Sequence, residues 1–534
     1  MNWGNNILQN SHPKWSVLAV VILGSFMAIL DTNIVNVALP KIMANFGSTV
    51  EQVEWVVTGY MIAFAIIMPA TNWLRAALGL KTTFIASLGI FCFGSALCGL
   101  AWDNDSLVFF RIIQALGGGA MMPVGFTLVS EAFPPQERGM AMGFWSIGAM
   151  IAPAIGPFLG GYLVDEVNWR SIFYINIPVG AAAVLAAFWA LPPSKTRRPA
   201  PPFDFAGFFS FSVFLAFLLV ALAQGQREGW ESEYILGCFA ASLLGLVVFL
   251  AAYSWVAEPL VDLRLFGNLN FLMANIVNFV RAVAIFGSMF LLPLFLQNLL
   301  DYKALQTGVI LVPTAISVAV VSPFSGLISD RIGPRIPLFL GTVLVAYSLY
   351  MYKDLSLKAD YWFLFWPQVI RGVGLGLINA PLMSAAINSV RREQTSTASS
   401  LLTVIMQVGG AFGVALLGAS LQRREFFHYA HYLQQFNDAF APAYYRAQQA
   451  MQDLLIRAGH SPAEVVSQGK ALFALWVHKQ AAVSAFGDAF LFSAGLLALG
   501  ILPALLIRNR HQATAGAAAP PGGGSENGEQ NRTA

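Results

Sequence analysis

The sequence predicts an all-α polytopic membrane protein with fourteen spanning helices. Three observations carry that prediction. Of 534 residues, 57% are hydrophobic and only 11% are charged, where a soluble globular chain carries roughly 25% charged residues. A single water-soluble core cannot absorb so many apolar side chains, because cores stop growing beyond about 250–300 residues. Apolar runs of about 20 residues, the length that crosses a bilayer as a helix, recur along the chain. A soluble enzyme is excluded, and no catalytic residue is expected.

The runs, read between charged or Pro/Gly-rich breaks, fall at 15–39, 53–73, 82–101, 106–128, 139–164, 170–192, 205–224, 234–256, 270–298, 306–328, 335–353, 361–388, 396–420 and 484–507. An even count puts both termini on one side. With the start of the chain in the cytoplasm, fourteen Lys and Arg lie in inner segments and six in short outer loops. The positive-inside rule therefore places both termini inside. The short polar start leads into a run longer than a signal-peptide core, so no cleaved signal is expected. A net charge of +3 gives no reason to expect nucleic acid. Cys92, Cys98 and Cys238 lie in apolar runs without metal-type spacing, and the six histidines lie outside those runs. No metal site is expected.

Ionisable side chains inside spanning helices are costly and are candidate functional residues by default. Four stand well inside the predicted spans: Asp31, Arg111, Arg281 and Arg371. Asp31 lies in LDTNIVNVALP of helix 1, roughly 24 Å from the inner end at ~1.5 Å per residue. A carboxylate held out of water there could load and release a proton; the competing reading is a fixed ion pair or packing hydrogen bond. Arg111 and Gln114 in RIIQALGGG are three apart and share a helix face. Arginine stays charged and cannot carry the proton, but it can control a nearby acid. Arg371 in RGVGLGLINAP reads the same way, and glycines beside each arginine allow close helix approach. These two segments form an internal echo, as many transporter folds do. Arg281 follows Asn275 and Asn278 on helix 9, and the three could line an aqueous cavity and touch a polar or anionic ligand.

Helix 5 carries the densest pattern, APAIGPFLGG, with Pro153, Gly156, Pro157, Gly160 and Gly161. Proline removes intrahelical hydrogen bonds and glycine leaves a flat face, so a bent, close-packing helix is expected. After helix 10, SGLISDRIGPR places Asp330 beside Arg331 with Arg335 behind, suited to an ion-pair latch on the inner face. Three segments do not span. PPSKTRRPAPP (192–202) reads as a stiff cytoplasmic linker. Residues 421–480 form a long outer segment whose aromatic clusters, and a capped helix start at Ser461-Pro462-Ala463-Glu464, favour helix over disorder. The tail from Gln512 is small and polar and is expected to be disordered.

Together these pieces resemble the major facilitator superfamily, in particular its fourteen-helix drug:proton antiporters of EmrB type. LDTNIVNVALP resembles that family's helix 1 signature, RIIQALGGGAMMP its helix 4 arginine motif, and GMAMGFWSIGAMIAPAIGPFLGG its helix 5 antiporter motif. The resemblance spans roughly residues 15–507. It implies the major facilitator fold: two six-helix bundles plus two inserted helices. The domains would be 1–192 for the first bundle, 193–204 for the linker and 205–269 for the inserted pair with its inner loop. The second bundle would be 270–507 and the tail 508–534. Carried over by position, Asp31 and Arg111 become coupling residues. Asn33, Gln114, Asn275, Asn278, Arg281 and Arg371 are the substrate-cavity candidates. One departure matters: in TNWLRAALGLK, Ala76 and Ala77 stand where the superfamily places an acid and a base. The full latch pattern occurs only in the second half, at Asp330 and Arg331.

The function expected is proton-driven export of amphipathic or hydrophobic compounds across a bacterial inner membrane. No cofactor is expected, because the gradient drives it and no GxxxxGK[ST] phosphate loop occurs. EmrB-type pumps further imply a periplasmic adaptor and an outer-membrane channel as partners. Two rivals stand beside this reading. One is a dedicated exporter of a single endogenous molecule, such as a fatty acid, siderophore or peptide, with Arg281 binding its carboxylate. The other is a non-transporting membrane sensor, which would need a sizeable soluble domain on the inner side.

Overall fold

A bilayer admits helices because each satisfies its own backbone hydrogen bonds, and every regular element among the described residues is helical. The structure is a computed structural model that describes residues 14–134, 136–193, 202–256, 259–391, 394–437, 442–457 and 462–507. The first half comprises α1 (Lys14–Phe46), α2 (Val50–Leu78), α3 (Leu80–Gly99), α4 (Asn104–Ala132), α5 (Arg138–Glu166), the short α6 (Ser171–Tyr174) and α7 (Asn176–Ala190). An inserted hairpin follows, α8 (Phe205–Glu228) and α9 (Glu233–Tyr253). The second half comprises α10 (Leu269–Asn298), α11 (Ala304–Ile332), α12 (Arg335–Met351), α13 (Tyr361–Asn388), α14 (Thr395–Asn437), α15 (Pro442–Arg457), α16 (Pro462–Leu499) and α17 (Ile501–Leu506). Among the described residues, thirteen spans are long and apolar enough to cross a membrane, or fourteen when the two arms of α5 count as one. Those arms, Arg138–Pro153 and Phe158–Glu166, meet at 41°, the bend that the Gly/Pro pattern predicts.

Local chemistry fixes the turns. Thr49 opens α2 with a capping box, its hydroxyl accepting from the Gln52 N–H while the Gln52 side chain accepts from the Thr49 N–H. Gly79 and Gly333 end α2 and α11 with φ of 82° and 93°, conformations that favour glycine. Both donate back into the helix just finished, to the carbonyls of Arg75 and Ser329. The two turns occupy matching places in the two halves, a second internal echo beside the one at Arg111 and Arg371.

Within the first half α1 packs on α5, and α4 packs on α2 and α3; in the second, α10 packs on α14 and α11 on α13. We call the face carrying residue 14 the near face and the opposite one the far face. The inserted α8 touches both α2 and α14. Toward the far face its Arg227 pairs with Glu54 of α2, while Gln226 Nε2 donates to Gln422 Oε1 of α14 at 2.6 Å. The hairpin thus bridges the halves along the α2/α14 side. The other seam, between α5 and α11, carries no inserted helix.

Beyond the far face α14 and α16 continue as a stalk. They contain 43 and 38 residues, or roughly 65 and 57 Å of helix against a hydrocarbon core of about 30 Å. Asp488 of α16 accepts from Arg424 Nε at 2.6 Å and lies 2.7 Å from His428 Nε2, and the Tyr432 and Ser484 hydroxyls meet at 2.8 Å. The stretch 421–480 is helical wherever it is described, and α16 starts at Pro462. Ser461, the basic part of the linker (194–201), the tail from 508 and the side chains of Tyr444 and Tyr445 lie outside the described residues.

Candidate functional site

The site begins with a charge that no lone helix could afford. Asp31 on α1 and Arg111 on α4 are 0% and 1% exposed and form an ion pair through Asp31 Oδ2 and Arg111 Nη1. An unpaired buried charge costs several kcal/mol, about 3–5 when one partner of a buried pair is removed. Their union is what lets either residue occupy this depth.

The other carboxylate oxygen of Asp31 is satisfied as well. Gln114 Nε2 and Asn176 Nδ2 each donate to Oδ1 at 2.9 Å, and each also donates to Ser95 Oγ at 3.0 Å. Ser95 in turn donates to the Phe173 carbonyl at 2.9 Å. Arg111 Nη1 also reaches Gln114 Oε1 at 2.6 Å, and the guanidinium lies 3.9 Å from the centroid of the Tyr60 ring. Five helices (α1, α2, α3, α4 and α7) contribute side chains here, and glycines let α3 and α4 approach closely. A Cβ on Gly94 would stand 2.5 Å from Gln114 Cα, and one on Gly117 would stand 2.4 Å from Phe91 N. Three donors, Arg111, Gln114 and Asn176, thus converge on the carboxylate of Asp31.

The second feature is the α5/α11 seam. At the near face the helices touch backbone to backbone: a Cβ on Gly326 would lie 2.0 Å from the Gly139 carbonyl, and one on Gly143 2.5 Å from that of Ser322. Asp330 secures the contact. Its two carboxylate oxygens accept from Gly139 N and Met140 N at 3.0 and 3.1 Å, in the first turn of α5. This differs from the expected ion-pair latch. Arg331 and Arg335 are exposed, and no ion pair to Asp330 occurs among the described residues. A helix N-terminus offers unsatisfied N–H groups and partial positive charge, so the acid is held by the opposite half and not by its neighbour in sequence. The near face is further closed by Thr71–Ser400 and Thr127–Ser399 hydroxyl contacts of 2.9 and 3.3 Å. Toward the far face the same helices diverge around a cavity of about 440 Å³, lined by Ile151, Ile155, Phe158, Val309, Val312 and Ile316.

The remaining sequence candidates disperse. Gln114 belongs to the Asp31 network. Asn33 bonds its own helix at the Ile29 carbonyl, 2.7 Å away, and its Cβ would meet a Cβ on Gly156 at 3.0 Å. Gly156 and Gly160 lie against α1 at Asn33 and Ile34, while Gly161 faces open space. Pro153 is half-buried, and the side chain of Pro157 lies outside the described residues. In the second half, Arg281 meets Asn278 and Asn379. Asn275 bonds the Phe271 carbonyl at 2.8 Å, and Arg371 stands apart, 3.4 Å from Ser288 Oγ.

Two bundles of α-helices joined at a glycine seam, with a buried acid–arginine pair in the first, restrict the family, and the family model decides it. The Major Facilitator Superfamily model matches residues 21–414. The chain belongs to the Major Facilitator Superfamily. A Bacillus subtilis relative, "Uncharacterized MFS-type transporter YhcA", is 28% identical over 94% of both chains. "Multidrug resistance protein B homolog" of Mycobacterium tuberculosis is 34% identical over 75% of both. The crystal structure of the human organic anion transporter MFSD10 (TETRAN) shares the fold, with a TM-score of 0.58 over 91% of this chain and 99% of that one, at 12% identity. This major facilitator protein also has site residues that sequence reading missed: Asn176, Ser95, Tyr60 and Asn379. Asn176 carried a usable signal, a polar residue inside the apolar stretch IFYINIPVG. Ser95 carried none, because a serine hydroxyl can satisfy itself on its own helix, and Tyr60 reads as one more aromatic in an apolar run.

Proposed function

We propose that this major facilitator protein is a proton-driven exporter of amphipathic or hydrophobic compounds, working by alternating access. The observation that carries the reading is the Asp31–Arg111 pair, a titratable acid buried in the first bundle with a fixed cation as its partner. A proton arriving from outside neutralises Asp31 and leaves Arg111 with only neutral partners: Gln114, the Tyr60 ring and the Val56 carbonyl, 3.4 Å from its Nε. A buried guanidinium without its counter-charge is expensive. That cost drives α1 and α4 apart and biases the halves toward the state open at the near face. The near face is cytoplasmic in this reading, the membrane is a bacterial inner membrane, and both termini lie inside. The apolar cavity between α5 and α11, of a size typical for small-molecule sites, suits a greasy cargo leaving toward the far side. The multidrug name of the mycobacterial relative supports export over sensing. The gradient alone powers the cycle, with no cofactor and no chemical conversion of the cargo.

The stalk made by α14, α15 and α16 supports a partner on the far side. Phe426, Phe427, Leu454 and Ile456 are exposed there, and an adaptor that leads on to an outer-membrane channel would cover them. The deciding experiment follows proton flux in proteoliposomes while a panel of compounds is added. Cargo-dependent proton movement in the wild type, lost in Asp31→Asn, is the expected result. Export against a gradient at wild-type rate by Asp31→Asn would move the coupling role elsewhere.

A further inference from the structure

The first half neutralises its buried Arg111; the second half leaves its buried Arg281 and Arg371 without a carboxylate partner among the described residues. Arg281 lies twelve residues into α10, about 18 Å from its near end at 1.5 Å per residue, and is 5% exposed. Its Nη1 donates to Asn379 Oδ1 of α13, and its Nη2 to Asn278 Oδ1 at 3.0 Å. Nη2 also approaches Met406 Sδ of α14 at 3.6 Å. Its Nε is buried and has no hydrogen-bond partner. Every partner is neutral, and no carboxylate pairs with Arg281 among the described residues. Arginine does not shed its charge, so this guanidinium remains a cation at mid-membrane depth.

Buried cations in membranes are paired or serve a ligand. The asparagines prepare Arg281 for the second role. Asn278 is itself anchored, its Nδ2 donating to the Leu402 carbonyl at 2.7 Å, so its oxygen is aimed before any ligand arrives. Two amide dipoles position the guanidinium without neutralising it, and leave a donor unused. The place suits a ligand that must pass between states. α13 touches α5 of the first half, and α14 touches α2 and α4, so relative movement of the halves changes what reaches Arg281.

We propose that Arg281, with Asn278 and Asn379, is an anion-binding site and that the cargo class is an anionic amphiphile, a carboxylate or phosphate head on an apolar body. The head supplies the counter-charge that the protein withholds. Met406 beside it, half-buried, offers apolar surface to the body. The inference rests on the exporter reading only in treating the bound anion as cargo. A phospholipid headgroup offers the same chemistry and is separated from cargo below.

The test is equilibrium binding to the full-length protein in phosphatidylcholine nanodiscs, without a gradient, using dodecanoate and dodecyltrimethylammonium as paired probes. Arg281→Gln should weaken dodecanoate about 10- to 100-fold, the range for losing a hydrogen bond to a charged group, and leave the cation's binding unchanged. Arg281→Lys should retain part of the anion's binding. Asn379→Asp keeps the side chain's size and provides an internal counter-charge, so it should raise thermal stability while abolishing dodecanoate binding. This second variant decides the matter even where Arg281→Gln folds poorly. Unchanged dodecanoate binding in Asn379→Asp, or equal loss of both probes in Arg281→Gln, would overturn the proposal. Suppression of dodecanoate binding by phosphatidylglycerol in the nanodisc would mark a lipid headgroup as the occupant of the anion site, and insensitivity to it marks cargo. Loss of anion binding leaves the proton-flux result untouched, so the two readings fail separately.

Discussion

Asp330 of α11 and Gly139 of α5 meet across the seam between the halves, the carboxylate accepting the backbone N–H at 3.0 Å. The contact joins the last turn of one helix to the first turn of another from the opposite bundle. It has no counterpart at Ala76, the matching position of the first half, which carries no acid. The near-face closure is therefore asymmetric in chemistry even where the fold is symmetric.

Asp330→Ala should weaken near-face closure, since hydrogen bonds to a charged acceptor contribute about 1.5–3 kcal/mol each. A cysteine at Ser399, 1% exposed between the halves, should then react faster with a membrane-impermeant maleimide added at the near face. Ala76→Asp should change that rate less, because it removes no contact that closes the near face. Equal changes in both would show that the two halves gate alike.

Gly326→Ala should act on the same closure through sterics. Its Cβ would lie 2.0 Å from the Gly139 carbonyl oxygen, and backbone cannot yield as a side chain can. Overpacking of this kind costs about 1–3 kcal/mol, which falls on the near-closed state alone. Labelling at Ser399→Cys should rise while the melting temperature changes little. Gly161→Ala, which meets open space, serves as the control. It should leave export intact and gain up to about 1 kcal/mol from helix propensity.

Asp31→Asn strands Arg111 without its counter-charge, at a cost of about 3–5 kcal/mol. The melting temperature in detergent should fall along with coupled export. Arg111→Gln added to Asp31→Asn should recover most of the stability and none of the coupling. A double variant that stays as unstable as the single would show that packing, and not charge, dominates at this site.

Two asparagines separate the Asp31 network from its surroundings. Asn176→Ala removes donors to both Asp31 and Ser95 and should slow coupled export about tenfold or more, as loss of a charge-assisted bond implies. Asn33→Ala removes only a bond to its own helix and should stay near wild type. Similar rates for the two variants would put Asn33 back among the functional residues.

Replacing residues 438–470 with a Gly/Ser linker keeps Arg424, His428 and Asp488 together and removes the far part of the stalk. Export in vesicles should survive, and resistance in cells should be lost if an adaptor docks there. Co-purification of the adaptor with the shortened protein would place docking on another surface.

Much of this protein is legible in its sequence because a bilayer makes secondary structure a local problem. Each span must satisfy its own peptide groups, so an apolar run of sufficient length is a helix whatever surrounds it. Length, hydropathy and the glycine–proline pattern therefore determined the helices, the bend in α5 and the short list of buried charges. They could not determine partners. Asp31 and Arg111 are 80 residues apart, and whether they meet depends on how two helices are rotated about their axes. For α4 that rotation is set by close packing on α3 at Gly94 and Gly117, and it leaves no local signature. Rotation of this kind takes Gln114 to Asp31, turns Asn33 toward α5 and leaves Arg281 among neutral amides. It also takes Asp330 from Arg331, its neighbour in sequence, to the N-terminus of α5 in the other half. The sequence by itself determined which groups are buried and helical; only the tertiary structure decided which of them face one another. Burial follows from local composition, whereas pairing depends on long-range geometry between helices that the hydrophobic effect does not orient within lipid.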